Sequence, residues 1–315
     1  MKDNYNRDID YVRISLTEKC NLRCIYCMPK GYVPNGEVEI SRDHVNKIVK
    51  ALASIGIKKV RFTGGEPLVR KDIIDIIKDT RAVEGIKDIA ITTNGVLLKD
   101  KLVDLKEAGL TRINISLDSL DPTTFKKMTG GDLEGILEAI HKAIEFNIFV
   151  KLNMLPIKGC NENEIIDFIK LTKDLPMDVR FIELMPMGPA KDFNGIESDN
   201  IREMMSSIGK YTQVENEGRG PATVYKIEGH KGRVGFISPM SHNFCDSCNR
   251  IRITSDGKLK TCLHNAGETD LMPYIDSETQ LKDTLYNGIL KKYEKHTLNI
   301  DKISKSGREM VRIGG

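Results

Sequence analysis

The sequence predicts an α/β fold organised around a parallel sheet. From about residue 11 to 185, short β-rich runs alternate with amphipathic helical segments, and within the runs apolar and polar residues alternate. Six β-then-α units in succession imply parallel strands joined by right-handed crossovers, either doubly wound or rolled into a barrel or partial barrel.

The expected strands are YVRISL (11–16), KVRFT (59–63), DIAITT (88–93), RINISL (112–117), FVKLNML (149–155) and DVRFIEL (178–184). Between the first two lies HVNKIVKALASIG, with Val45, Ile48, Val49, Leu52 and Ile55 on one helical face. KDIIDIIKDT, KLVDLKEAG, EGILEAIHKAIEF and EIIDFIKLTKD repeat the pattern, and Gly56 and Gly109 act as stop signals.

Fully buried parallel strands read as continuous apolar runs, and these do not. Val12, Ile14 and Leu16 alternate with Arg13 and Ser15; Val60 and Phe62 with Arg61 and Thr63; Ile113, Ile115 and Leu117 with Asn114, Ser116 and Asp118. Val150, Leu152 and Met154 alternate with Lys151 and Asn153, and Arg180 stands between Val179 and Phe181. One face of each strand can take the helices, while the other is polar and mostly cationic. Such a lumen suits an anionic ligand better than a core of branched side chains. An antiparallel sheet with one wet face would show the same alternation, but the intervening helices argue against it.

After residue 185 the pattern changes. MPMGPAKDFNG reads as a loop and IREMMSSI as a short helix; short β-like runs follow (TVYKIEG, RVGFIS, RIRIT, KLKTCL), then a helical stretch around 279–292 and a polar tail, MVRIGG. This marks a smaller C-terminal unit, 191–315, after a first unit of 1–190.

The 315 residues can bury a large core; 40% are apolar and 30% charged, as in soluble globular proteins. A net charge of +3 suggests no nucleic-acid partner, and aromatics at 6% without Trp leave few stacking platforms. The start, MKDNYNRDIDY, has no apolar signal region, and no apolar run nears 18 residues. A cytoplasmic protein without a membrane partner is expected.

Cysteine usage is uneven: Cys20, Cys24 and Cys27, then Cys160 alone, then Cys245, Cys248 and Cys262. In a reducing compartment two triplets and a singleton are thiols or metal ligands, not a disulfide framework, and Cys160 packs as a small hydrophobe. A cubane [4Fe–4S] cluster holding three thiolates keeps one iron open to a small molecule. Zinc would need a distant fourth ligand, and reduced thiols are the remaining alternative. Beside the first triplet, RFTGGEPLVR ends the second strand with Gly64, Gly65, Glu66 and Pro67, a pair of glycines that permits close backbone approach. In the second triplet, Cys245, Cys248, Cys262 and His264 could equally form a Cys3His zinc site. Arg250 and Arg252, two apart on a strand, put both guanidiniums on one face beside the metal, a fork suited to phosphate or a nucleobase.

CNLRCIYC and TGGEP resemble the cluster motif and methionine-binding loop of radical S-adenosylmethionine enzymes. With VRFIELMPMG, the second triplet followed by Asn249-Arg250-Ile251-Arg252, and the final Gly314-Gly315, nearly the whole chain resembles the GTP 3′,8-cyclases of molybdenum-cofactor biosynthesis. The resemblance implies a partial (β/α)6 TIM-type barrel with a smaller C-terminal cluster-binding domain and two [4Fe–4S] clusters. It implies S-adenosylmethionine as cosubstrate, GTP as substrate and a homodimer. The first cluster would fall to Cys20, Cys24 and Cys27, and the second to Cys245, Cys248 and Cys262. Tyr26, Gly64, Gly65, Glu66, Ser116 and Met185 match positions for S-adenosylmethionine; Arg13, Arg61, Thr92, Lys151, Arg180, Arg250 and Arg252 match positions for GTP. Arg13, Arg250 and Arg252 are also the expected catalytic residues. The implied reaction abstracts hydrogen from ribose C3′ with a 5′-deoxyadenosyl radical and joins C3′ to guanine C8. An electron donor of unidentified kind and a downstream cyclic pyranopterin monophosphate synthase are the expected partners, and the glycine tail is expected to reach the active site. Two other readings remain: a peptide-modifying radical enzyme with an auxiliary cluster, and a binding protein with two zinc knots.

Overall fold

The computed structural model describes residues 1–28, 31–33, 39–216, 220–301 and 303–314. The six expected strands are β1 (Tyr11–Ser15), β2 (Lys59–Thr63), β3 (Asp88–Thr93), β4 (Arg112–Ser116), β5 (Phe149–Met154) and β6 (Asp178–Ile182). Helices α1 (Arg42–Ser54), α2 (Ile73–Arg81) and α3 (Leu98–Glu107) separate the first four, and α5 (Ile136–Glu145) and α6 (Ile165–Asp174) flank β5. The sequence reading missed α4 (Pro122–Thr129). Its local signals are present: the Asp121 carboxylate accepts from the Thr124 amide at 2.8 Å, and Pro122 opens the first turn.

The alternation along the strands sorts as expected. Val12, Ile14, Val60, Phe62, Ile113, Ile115, Val150 and Leu152 are buried in one apolar core with the inward faces of α1, α2, α3, α5 and α6. Helix α1 shows the logic: the Ser41 hydroxyl accepts from the His44 amide at 3.1 Å, and Val45, Ile48, Val49 and Leu52 are its buried stripe.

The later segments supply α7 (Ser198–Ser206), β7 (Tyr211–Val214), β8 (Thr223–Ile227), β9 (Arg233–Ile237), β10 (Arg250–Ile253), β11 (Lys258–Lys260), β12 (Thr269–Asp270), α8 (Glu278–Leu290), α9 (Leu298–Asp301) and α10 (Met310–Ile313). They do not form a separate sheet. One sheet runs β12-β11-β10-β1-β2-β3-β4-β5-β6-β9-β8-β7. β10 joins β1 and β9 joins β6, both in parallel, and antiparallel strands continue outward at each edge. The C-terminal strands therefore flank the six-stranded partial barrel on both sides. The tail, expected to be polar, is instead an anchored helical turn. Val311 and Ile313 of α10 are 2% and 0% exposed, and Arg312 between them, itself mostly buried, reaches the buried Glu18 carboxylate at 3.7 Å.

Candidate active site

The ends of the parallel strands, the loops after them and the tail enclose a cavity of about 340 Å³. Cys20, Cys24 and Cys27 line it from the loop after β1, and Cys245, Cys248 and Cys262 from the loops flanking β10 and β11. The topology explains the meeting: β10 pairs directly with β1, so triplets more than 200 residues apart in sequence emerge from adjacent strands.

The TGGEP loop is pressed against the first cysteine loop. The Gly65 amide donates to the Thr17 carbonyl at 2.7 Å and the Glu66 amide to the Lys19 carbonyl at 2.8 Å. A Cβ on Gly64 would stand 2.6 Å from the Thr17 oxygen, and one on Gly65 would stand 2.4 Å from the Lys19 oxygen. The glycine pair thus lets two backbone loops stack, while Gly64 and Gly65 still face the cavity. Glu66 turns the other way. Its carboxylate accepts from the Leu68 amide at 2.9 Å, the Thr93 hydroxyl at 2.8 Å and the Asn94 amide at 2.7 Å. Burial pushes its pKa up to about 7, against those hydrogen bonds. It ties the β2 loop to the end of β3.

Tyr26, Ser116 and Met185 line the cavity, as do Arg13, Thr92, Arg250 and Arg252. The Tyr26 hydroxyl donates to Asp118 at 2.5 Å, and Asp118 also accepts from the Leu155 amide at 2.8 Å. Asp118, with its pKa raised to about 6 by burial, fixes the cluster loop to the ends of β4 and β5. It was not among the expected site residues, although it continues the polar face of Asn114 and Ser116. Asn94 was also missed: its side-chain amide reaches the Cys20 sulfur at 3.8 Å and Asn21 at 2.7 Å.

Arg61, Lys151 and Arg180 do not line the cavity itself; they stand beside it on β2, β5 and β6, Arg61 in register with Arg13 and Arg180 with Asn153. Arg252, Arg13 and Arg61 are register partners across β10, β1 and β2. The Nε atoms of Arg13, Arg61 and Arg180 are buried without hydrogen-bond partners among the described residues. Burial and then neighbouring cations push Lys151 down to about 7, although Asp178 lies 3.3 Å away. Burial likewise lowers Arg61 to about 9 and Arg180 to about 10. This lumen holds more positive charge than its own carboxylates neutralise, a setting for a polyanion.

The cysteines fit clusters better than single ions. Among the described residues no three His, Cys, Asp or Glu side chains converge on one ion position. A cubane takes one thiolate per iron, so its ligands need only surround a shared space. Burial raises Cys27 to about 12 and Cys24 well above its usual value, so a cationic core is needed to hold them as thiolates. At the second triplet burial also opposes ionisation, yet Arg250 and Lys292 bring Cys248 down to about 6. His264 lines the same cavity and packs edge-on against His296, with centroids 4.7 Å apart.

The tail closes the remaining side. Arg308 grips Asp256 at 2.7 Å and Glu268 at 2.7 Å, and α10 then carries Gly314 to the barrel mouth, where its carbonyl accepts from Arg252. Gly315 lies outside the described residues.

Residues 14–172 match the model of the radical SAM superfamily, and residues 177–298 match that of Molybdenum Cofactor Synthesis C. Relatives named GTP 3′,8-cyclase include those of Alkaliphilus metalliredigens, 49% identical over 320 residues, and Clostridium acetobutylicum, 44% identical over 319, each alignment covering both chains fully. Among solved structures, Streptococcus suis SuiB bound to S-adenosylmethionine aligns with a TM-score of 0.68 at 15% identity, over 97% of this chain and 77% of that one. That likeness speaks to the fold. The chain belongs to the GTP 3′,8-cyclase family of the radical S-adenosylmethionine superfamily.

Proposed function

We propose that the protein cyclises GTP to (8S)-3′,8-cyclo-7,8-dihydroguanosine 5′-triphosphate with S-adenosylmethionine as cosubstrate, the first step of molybdenum-cofactor biosynthesis. The observation that carries this reading is the meeting of two cysteine triplets over one cation-rich lumen. Cys20, Cys24 and Cys27 would hold one cluster and Cys245, Cys248 and Cys262 the other. Bound there, the clusters would supply an electron for S-adenosylmethionine cleavage and an open iron for the guanine.

The chain's own residues do the placing. Gly64 and Gly65 present backbone to the S-adenosylmethionine methionyl end, with Tyr26, Ser116 and Met185 around the rest. Glu66 acts by holding that loop. Arg13, Arg61, Thr92, Lys151 and Arg180 receive the triphosphate and ribose, and Arg250 and Arg252 orient the base end. In this reading residues 1–190 hold the cosubstrate and the lumen, and residues 191–315 supply the second cluster and the tail. Met310 and Val311 of α10 line the cavity and would keep water from a reactive carbon radical. No described helix is long and apolar enough to cross a membrane; the reading takes the protein to be a cytoplasmic homodimer, as the family resemblance implies. An external one-electron donor and a downstream cyclic pyranopterin monophosphate synthase complete the scheme.

The test is anaerobic reconstitution followed by iron, sulfide and zinc analysis and an assay of S-adenosylmethionine cleavage with and without GTP. About eight irons per chain, as two cubane clusters require, and GTP-stimulated 5′-deoxyadenosine are expected. Stoichiometric zinc without cleavage would overturn the reading.

A further inference from the structure

β1 begins with a residue whose chemistry the assigned site does not use. The period of two that turns Arg13 and Ser15 into the lumen also turns Tyr11 inward. Tyr11 is 8% exposed, and its buried hydroxyl, within reach of donation from Arg13, has no hydrogen-bond acceptor among the described residues. It lies beside the Arg13 guanidinium, and the Arg61 guanidinium sits over its ring, 5.2 Å from the centroid. On the neighbouring strands its register partners are Arg250 and Lys59.

We propose that Tyr11 is a further polyphosphate-binding residue, its hydroxyl donating a hydrogen bond to the phosphate chain that Arg13 and Arg61 neutralise. This inference rests on the GTP reading. The argument is one of a missing acceptor. A buried hydroxyl ordinarily finds a hydrogen bond, and leaving it unmade is costly. The charged groups beside this one, Arg13, Arg61 and Arg250, are guanidiniums, which donate and cannot accept. The missing partner is therefore an acceptor, and the excess of positive charge makes it an anion. The Asp178 carboxylate on β6 is already engaged by Lys151 at 3.3 Å, Arg233 at 2.8 Å and Arg180 at 3.8 Å. A phosphate oxygen supplies both the lone pair and the charge. Electrostatics agree: burial alone would raise the phenol's pKa, yet Arg61 and then Arg13 pull it down to about 8. The ring has a second use, as a shelf that holds the Arg61 guanidinium in place.

The experiment compares reconstituted holoenzyme with its Tyr11→Phe variant, which keeps the ring and removes one oxygen. Equilibrium binding of GTP, guanosine and S-adenosylmethionine is measured for both. The variant should lose about tenfold in GTP affinity, as expected for one charge-assisted hydrogen bond, while guanosine and S-adenosylmethionine bind as before. Inorganic tripolyphosphate should compete with GTP less well on the variant than on the parent. Equal GTP affinity in both proteins overturns the assignment, as does an equal loss for GTP and guanosine. In either case the functional reading stands, since the parent binds GTP. A parent holoenzyme that binds no GTP removes the reading and the inference together.

Discussion

The Arg252 guanidinium hydrogen-bonds the carbonyl of Gly314, so the last described residue of the chain is tied to β10, the strand that follows Cys245 and Cys248. Arg252 is also the register partner of Arg13, and the tail therefore contacts the cationic row of the lumen. Gly314 has φ of 75°, and a Cβ there would stand 2.5 Å from Thr63 Cγ2. Gly314→Ala should therefore displace the tail and expose Arg252. A positive-φ alanine costs about 1–2 kcal/mol locally, so global stability should change little. Cyclisation should fall at least tenfold while iron content stays at the parental level. Unchanged turnover in a variant with intact clusters would show that the contact is incidental.

The two triplets should fail separately. Their loops follow different strands, and each is held by its own partners, Asn94 at Cys20 and Arg7 at the Cys245 carbonyl, 3.0 Å away. Replacing Cys20, Cys24 or Cys27 by Ala should abolish S-adenosylmethionine cleavage and lower iron from about eight to about four per chain. Replacing Cys245, Cys248 or Cys262 should lower iron equally but leave cleavage measurable and uncoupled from GTP. Loss of all iron in either series would contradict independent sites.

Lys151 gives the site a pH dependence whose sign follows from its surroundings. Burial and the nearby Arg180 lower its pKa to about 7 in the empty protein, and bound phosphate would raise it again. GTP affinity should then be highest below pH 7 and fall as pH rises through it, by up to tenfold per pH unit. Lys151→Met should bind weakly and lose most of that slope. The same shift acts on stability in the opposite sense. From about pH 7 to about 10 the unfolded chain holds a proton the native lysine has lost, so this group's contribution to native stability rises with pH. Binding titrations across pH 6 to 9 decide the first point, and denaturant midpoints without GTP decide the second.

Much of the architecture was legible because strand parity reports both faces of a strand. Val12 and Ile14 marked the helix side, and Arg13, Arg61, Lys151 and Arg180 marked the lumen before any contact was known. What sequence could not carry was long-range pairing. RVGFIS and RIRIT look alike as isolated runs, yet one closes the sheet beside β6 and the other beside β1. Asp118 was visible on the polar face of β4, but its role depends on Tyr26, 92 positions away. The tail misled for a related reason: MVRIGG is short and carries an arginine, and only docking shows Val311 and Ile313 to be core.

Glu66 offers the sharpest separation between holding a loop and touching a ligand. Three donors converge on its two oxygens, from the Leu68 and Asn94 amides and the Thr93 hydroxyl. Gln at this position presents one acceptor oxygen and one donor nitrogen, so at least one buried donor loses its partner and the β2 loop loosens. The local penalty is about 1–3 kcal/mol, visible as a lower denaturant midpoint. Because Gly64 and Gly65 ride on this loop, S-adenosylmethionine affinity should fall about tenfold in step with that penalty. GTP affinity should fall less, since Arg13, Lys151 and Arg180 lie on other strands and Arg61 and Thr92 sit within β2 and β3, ahead of the loops that Glu66 joins. If S-adenosylmethionine affinity fell with no loss of stability, Glu66 would be contacting the cosubstrate directly. If GTP affinity fell equally, the two subsites would share this support.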